Sequence, residues 1–412
     1  MAFLAIGACH GLDQKEHPSG EVSARRAGRG GAGGRAEVGG PKAGALAPSA
    51  GASKARAEPS EEPPERTLSS AADPTEKTLS DIGPAGPATA HATGVVMVTR
   101  DDEVRVAALR QKKSVIRIEP VRDEAENFSP YAPGPALLGE HAYWVSKGLL
   151  VRRRFTGAQS PIEVLAGDAR NGTRVVAAQG TARPVVAYIA RAPGSARLVA
   201  KAWVEGAGSM TLTDDASAAN SVALATVGGD VVALSLEGRT GMTPVHAIRL
   251  QLSTGPPRLR KDVVIWVGAS AQPLTEIAAL GWGAGVWGLV AMEKDITQFG
   301  LARLHVDADP QMESEVTWRT YPNGVDPAPV AATEVCGVPS VVYAQPANAE
   351  PHCPQELHWA AISEQGLGTS AIVARASAFS RVSVTALEKG ALLAYVADHR
   401  TWARLLPCAP RP

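Results

Sequence analysis

The residues whose types best suit metal binding lie in one short stretch, His352, Cys353 and His358. Zinc takes three or four nitrogen, sulfur or oxygen ligands in a tetrahedral arrangement. No second Cys or His follows at zinc-finger spacing, and the composition around His358 predicts a strand. We therefore interpret His358 as a surface histidine and predict no metal site in this stretch.

Two acidic stretches could hold calcium, Asp214-Asp215 and Asp307-Ala308-Asp309. Calcium needs six to eight oxygen ligands, and neither stretch alternates Asp and Asn around a central Gly as calcium loops do. Aspartate is also a good turn former. The sequence therefore predicts turns and no cofactor, with Ca²⁺ at these loops as the alternative.

His246 could act as a general base, but the sequence shows no partner acid or nucleophile for it. We interpret it as a packing histidine on a strand. The glycine-rich stretch at residues 281–285 lacks the Lys-Ser/Thr of a phosphate-binding loop and predicts a turn between repeating units. The sequence thus identifies no catalytic and no cofactor-binding residue.

Basic side chains cluster at Arg152, Arg153 and Arg154 and again at residues 258–261. Either cluster could meet anionic lipid or polysaccharide, but charged strand edges also prevent unwanted sheet pairing, so we favour solvated edges and turns. The whole chain balances 41 basic against 41 acidic residues. No net field directs it to nucleic acid.

The first nine residues are apolar and end at a cysteine. Ile6-Gly7-Ala8-Cys9 resembles the lipobox of bacterial lipoproteins, which implies lipidation of Cys9. The stretch is short and lacks a basic n-region, so we interpret residues 1–9 as the remnant of a signal whose reading frame begins further upstream. The alternative is an apolar N-terminus with a chance cysteine.

Residues 10–92 are rich in Ala, Gly, Pro, Ser, Glu and Arg, and no aromatic residue occurs between Phe3 and Phe128. Such a composition buries too little apolar surface to offset chain entropy, so it predicts a disordered linker. A coil of this length spans roughly 50 Å. A linker would hold a folded domain away from a membrane, and an extension without function is the alternative.

Residues 93–408 consist of short apolar runs separated by Gly, Pro, Asp and Thr, a pattern typical of many short strands. One pair of runs, at residues 231–237 and 246–250, recurs at 286–292 and 300–304 and more faintly at 391–396 and 401–405. No apolar run approaches the roughly 18 residues of a spanning helix.

Successive four-stranded units of this size must stack on each other to bury both faces, as β-propeller blades do. The sequence predicts an all-β fold, a propeller of about six blades (five to seven). Over residues 139–408 the chain resembles divergent bacterial secreted β-propellers of unassigned function. The resemblance is architectural and carries no catalytic residues. Two β-sandwich domains divided near residues 254–260 are the alternative.

Three cysteines lie in this domain, Cys336, Cys353 and Cys408. In an oxidising compartment two of them would pair, and a bond from Cys408 to either of the others would cross-link the end of the ring.

These patterns favour a non-enzymatic binding or scaffold propeller outside the cytoplasm, anchored by lipid to the cell envelope, in the periplasm or at the cell surface. Its ligand would be a protein or a polysaccharide. A propeller hydrolase or lyase acting on a glycan or lactone is the rival, and an intracellular interaction module without lipid is a third hypothesis.

Overall fold

The strands form seven antiparallel sheets within the part of the chain that the structure describes. The structure is a computed structural model. It describes residues 77–78, 88–92, 94–98, 102, 104–112, 115–118, 134–156, 160–213, 219–237, 243–252, 256–259, 263–268, 274–283, 285–292, 297–305, 311–312, 317–321, 329–348, 354–363, 365–397 and 400–408. All of them lie in one compact unit, Arg66–Pro412.

Each sheet is one blade, and the strands of each blade are named in order from the innermost outwards. Blade 1 contains β2 (Ala88–His91), β3 (Gly94–Val98), β4 (Val104–Lys112) and β5 (Val115–Ile118). Blade 2 contains β6 (Ala136–Leu138), β7 (His141–Ser146), β8 (Leu149–Arg154) and β9 (Glu163–Ala166). Blade 3 contains β10 (Val176–Ala178), β11 (Val185–Arg191), β12 (Leu198–Val204) and β13 (Gly208–Thr211).

Blades 4 and 5 each have a fifth strand. In each of these blades the fourth and the fifth strand both pair with the third strand. Blade 4 contains β14 (Ala219–Val227), β15 (Asp230–Glu237), β16 (Thr243–Gln251), β17 (Arg258–Leu259) and β18 (Val263–Gly268). Blade 5 contains β19 (Leu274–Trp282), β20 (Gly285–Met292), β21 (Thr297–His305), β22 (Gln311–Met312) and β23 (Thr317–Tyr321).

The last two blades complete the ring. Blade 6 contains β24 (Val330–Val335), β25 (Val338–Pro346), β26 (Gln355–Ser363) and β27 (Gly366–Ala376). Blade 7 contains β28 (Phe379–Leu387), β29 (Gly390–Ala397), β30 (Arg400–Leu406) and, as its outermost strand, β1 (Lys77–Thr78).

The ring is closed by two kinds of contact. The innermost strands touch in blade order, and β28 of blade 7 touches β2 of blade 1. In addition, β1 comes from the N-terminal side of the domain and pairs with β30, with Lys77 opposite Ala403. The prediction of an all-β propeller is therefore confirmed, and the seven sheets lie at the upper end of the predicted range.

Packing between blades explains why the second strands are apolar without alternation. All eight residues of β15 and of β29 are buried, as are six of the seven in β11. A strand that neighbouring blades cover on both faces has no polar side to present to water. The repeated runs seen in the sequence are the second and third strands of blades 4, 5 and 7.

The structure departs from the sequence analysis in how strands are grouped. Strands β1 and β2 lie within residues 10–92, which the sequence analysis assigned to the linker. Strand β10 follows the strands of blade 2 in sequence, but it is the innermost strand of blade 3. The innermost strand of blade 2 is β6, which is only three residues long and follows a polar connection, so its sequence gives a weak strand signal.

Candidate functional site

The innermost strands of all seven blades line one central channel with a cavity of about 600 Å³. Contacts between these strands show that they run in the same direction. The Thr89 hydroxyl donates to the Pro135 carbonyl oxygen at 2.6 Å, where β2 and β6 begin. The Thr226 hydroxyl donates to the Gln179 carbonyl oxygen at 2.5 Å, where β10 and β14 end. Gln179 Nε2 also donates to the Leu137 carbonyl oxygen at 2.6 Å, where β6 and β10 end. The beginnings of these four strands therefore gather at one end of the channel.

Three charged side chains meet at that end, and we call Arg174, Glu276 and Arg381 the charged mouth. Arg381 Nη1 lies 2.6 Å from Glu276 Oε1, and Arg174 Nη1 lies 3.5 Å from Glu276 Oε2. The three residues come from blades 7, 5 and 3, so the contacts span the channel instead of joining adjacent blades. Their side chains are 26%, 13% and 34% exposed for Arg381, Glu276 and Arg174 respectively.

Glu276 is bonded more closely to Arg381 than to Arg174. Arg381 donates a short hydrogen bond to Glu276 Oε1. By contrast, Glu276 Oε2 is buried and accepts no hydrogen bond within the described part of the chain. The 3.5 Å separation from Arg174 is an ionic contact longer than a protein hydrogen bond. At the mouth, the Arg174 guanidinium, a hydrogen-bond donor, thus lies beside Glu276 Oε2, a hydrogen-bond acceptor.

The rest of the channel carries less charge. His91 lines the wall and packs edge-on against Phe155, with ring centroids 5.0 Å apart. Burial lowers the pKa of His91, because the charged imidazolium loses hydration there. At the far end of the channel, Glu334 is exposed near the end of β24. Among the described lining residues, the mouth is therefore net positive and the far end is negative.

The candidate histidines lie inside blades. His246 is on β16, and its Nε2 lies 2.9 Å from Glu237 Oε1, an acid that the sequence analysis did not identify. His358 is 5% exposed, so its interpretation as a surface histidine was wrong. Its ring bonds Ser370 Oγ at 2.9 Å and Glu356 Oε2 at 3.1 Å. It is buried because its ring stacks on Tyr343, which belongs to the apolar cluster between blades 5 and 6.

The arginine cluster of blade 2 is also less solvated than predicted. Arg152 donates two hydrogen bonds to Glu163, at 2.7 and 3.2 Å, and one to Glu205 at 2.9 Å. Its guanidinium carbon lies 5.4 Å from the ring centre of Trp203. These contacts join blades 2 and 3, so Arg152 packs between them rather than at a free edge. In the second cluster, Arg258 is exposed.

Cys336 and Cys408 form a disulfide, with their Cα atoms 5.7 Å apart. Several other predicted positions lie outside the described residues, namely Cys9, Asp214, Asp215, Asp307, Asp309, His352 and Cys353.

Within the described ranges, no three His, Cys, Asp or Glu side chains are placed to hold a metal ion. Nor does any helix there have the length and apolar character needed to cross a membrane.

The glycine-rich stretch at residues 281–285 contains a turn, as predicted, but the prediction that this turn lies between units was wrong. Residues up to Trp282 belong to β19, and β20 begins at Gly285. The turn is therefore the hairpin between the first two strands of blade 5. Gly281 lies in strand β19, and its Cα, which carries no side chain, faces the backbone of Thr226 in blade 4.

None of the three residues of the charged mouth was predicted from the sequence. A weak signal for them exists, because each follows a hydroxyl residue and precedes a β-branched one: Thr-Arg-Val around Arg174, Thr-Glu-Ile around Glu276 and Ser-Arg-Val around Arg381. These triplets mark the start of the innermost strand in blades 3, 5 and 7. The repeats noted in the sequence covered only the second and third strands.

Comparison with models of known protein families gave no match, and comparison with curated protein sequences gave none either. Similar solved structures exist. A fucose-specific lectin from Aleuria aurantia is 11% identical, with 66% of this chain and 92% of the lectin covered and a TM-score of 0.38.

Two further structures show the same level of similarity. An arginine-to-alanine mutant of AofleA from Arthrobotrys oligospora is 12% identical, over 67% of this chain and 82% of that one, with a TM-score of 0.42. A Trypanosoma rangeli sialidase is 11% identical, over 73% of this chain and 58% of that one, with a TM-score of 0.37. The similar structures include a protein named as a lectin and one named as a sialidase.

Proposed function

We propose that the protein is a non-enzymatic binding propeller outside the cytoplasm, that a lipid on Cys9 anchors it to the cell envelope, and that the charged mouth binds a sugar unit of a polysaccharide. The observation that carries the ligand proposal is the pair of Arg174 Nη1 and Glu276 Oε2, 3.5 Å apart. A hydroxyl group both donates and accepts a hydrogen bond. Two adjacent sugar hydroxyls can therefore accept from Arg174 and donate to Glu276.

The size and shape of the cavity support a small ligand. Ligand pockets generally measure about 300 to 1,000 Å³ and hold a few convergent polar groups, and this channel fits that description. Because Arg174, Glu276 and Arg381 come from three blades, the rigid ring fixes their spacing before a ligand arrives. Such preorganisation reduces the entropy lost on binding.

The charged mouth favours binding over the rival hydrolase or lyase activity. Glycoside hydrolysis commonly uses two carboxyl groups on opposite sides of the scissile bond. Glu276 is the one carboxylate among the described residues at the mouth, and Arg381 already bonds one of its oxygens. This arrangement supplies hydrogen bonds to a bound sugar rather than an acid and a base.

The test is calorimetric titration of the full-length chain with D-glucose, D-galactose, D-mannose and L-fucose. Replacing Glu276 by Gln keeps the side-chain shape and removes the charge, so we expect Kd for a bound sugar to rise about tenfold. Glu334→Gln, at the far end of the channel, is the matched control and should leave Kd unchanged. Equal binding by Glu276→Gln and wild type would refute the site, and release of sugar products during the titration would refute the non-enzymatic role.

The lipid anchor makes a separate prediction. When the gene is expressed from its own locus in cells fed a palmitate analogue, the protein should carry the label and fractionate with membranes. Cys9→Ser should abolish both properties, because the thiol carries the proposed lipid. Cys353→Ser is the control and should keep both. A wild-type protein without label, or label retained in Cys9→Ser, would contradict the anchor.

A further inference from the structure

We infer that the sugar unit taken by the charged mouth is acidic, with its carboxylate bound by Arg174 and its hydroxyls directed to Glu276. This inference rests on the proposed function and specifies its substrate class. The mouth has a formal charge of +1, because two guanidinium groups (+2) and one carboxylate (−1) meet there. A neutral sugar leaves that charge uncompensated, whereas a uronate compensates it.

The two arginines are not equivalent. The 2.6 Å hydrogen bond to Glu276 fixes the Arg381 guanidinium in place. Arg174 makes only the 3.5 Å ionic contact within the described part of the chain and is one-third exposed in the channel. A guanidinium presents five N–H donors in a planar fork that matches a carboxylate in two parallel hydrogen bonds. Arg174 is therefore the group able to receive a ligand carboxylate.

The position of Arg174 in the fold suits this role. It precedes β10, the three-residue innermost strand of blade 3, so its backbone lies in the connection leading into the strand and not in a paired ladder. Glu276, in contrast, is held inside the nine-residue strand β19. The side chain that must adjust to a ligand thus sits on the less constrained backbone.

Repulsion between the ligand carboxylate and Glu276 does not oppose this geometry. Arg381 compensates one oxygen of Glu276, and the other, Oε2, is the acceptor that a sugar hydroxyl would meet. The ligand carboxylate would lie on the far side of the Arg174 guanidinium, which separates the two negative charges.

The experiment compares matched ligand pairs on the full-length chain, D-glucuronate against D-glucose and D-galacturonate against D-galactose. Each pair differs only at carbon 6. Because hydrogen bonds to charged partners are stronger than neutral ones, we expect the favoured uronate to bind about tenfold more tightly than its neutral partner. Raising the salt concentration should reduce that preference and leave neutral sugar binding unchanged.

Two variants of one residue separate charge from shape. Arg174→Gln should abolish the preference for uronate and weaken the binding of neutral sugars as well, because Gln carries no charge and fewer N–H donors, and Arg174→Lys should keep part of the preference. Equal binding of both members of each pair by the wild type would overturn the inference and leave the proposed function standing. Retention of the full preference by Arg174→Gln would overturn the inference in the same way. If no sugar and no uronate binds, both proposals fail.

Discussion

Replacing Cys336 or Cys408 by serine is expected to lower the free energy of unfolding of the propeller by about 4 kcal/mol. The disulfide between them closes a loop with a sequence separation of 72 residues. In the unfolded chain, such a cross-link removes the many conformations in which the two ends lie apart. Loss of the bond restores those conformations and so favours unfolding.

The place of this bond in the ring adds to its effect. Cys336 lies in the turn between β24 and β25 of blade 6, and Cys408 follows β30 of blade 7. Blade 7 is also held by apolar packing against blade 6, by the contact of β28 with β2 and by the two-residue pairing of β30 with β1. Cys408 follows β30 directly, so loss of the disulfide removes the covalent link between the end of this strand and blade 6. We therefore expect the end of β30 to detach before the rest of the ring opens.

The measurement is urea unfolding of the wild type and of Cys336→Ser, each with and without reductant. Reductant should destabilise the wild type by about as much as the substitution does and should not affect the variant. Cys353→Ser is the matched control, since it removes a cysteine and keeps the bond, and its midpoint should equal that of the wild type. A Cys336→Ser variant as stable as the wild type would show that the cross-link contributes nothing.

Much of the architecture could be predicted from the sequence because it depends on local patterns. The second strands, β15 and β29 among them, are buried over their whole length and rich in apolar residues, and this makes the repeat visible. The grouping into blades was harder. Strand β1 pairs with a strand more than 300 residues further along the chain, and its two residues carry no periodic signal. Ring closure of this kind is a long-range property.

The site could not be predicted for a related reason. Arg174, Glu276 and Arg381 are separated by about a hundred residues at each step, and nothing in one triplet indicates the others. They meet only because the inner strands that carry them begin at the same end of a closed ring. His358 illustrates the same limit, since strand periodicity says which residues share a face but not that a neighbouring blade covers it.

Replacing Gly281 by alanine is expected to destabilise the propeller by about 3 kcal/mol, as overpacking of a closed core does. A Cβ atom at this position would lie 2.0 Å from the carbonyl oxygen of Thr226, and real Cβ atoms essentially never come within 3.0 Å of such a neighbour. The obstacle is backbone, so no rotamer change relieves it. Strands β14 and β19 would have to separate.

Gly368→Ala is the matched control, because Gly368 also lies inside a strand, β27, and a Cβ there would meet Ala361 at an ordinary 3.5 Å. Thermal unfolding should show a clear loss of stability for Gly281→Ala and little change for Gly368→Ala.

The separation of β14 from β19 would also move Glu276 relative to Arg174 and Arg381, because Glu276 lies five residues before Gly281 on the same strand. Sugar binding by Gly281→Ala should therefore weaken even at temperatures where the variant is folded. A variant as stable as Gly368→Ala would mean that blades 4 and 5 do not pack at the distance described.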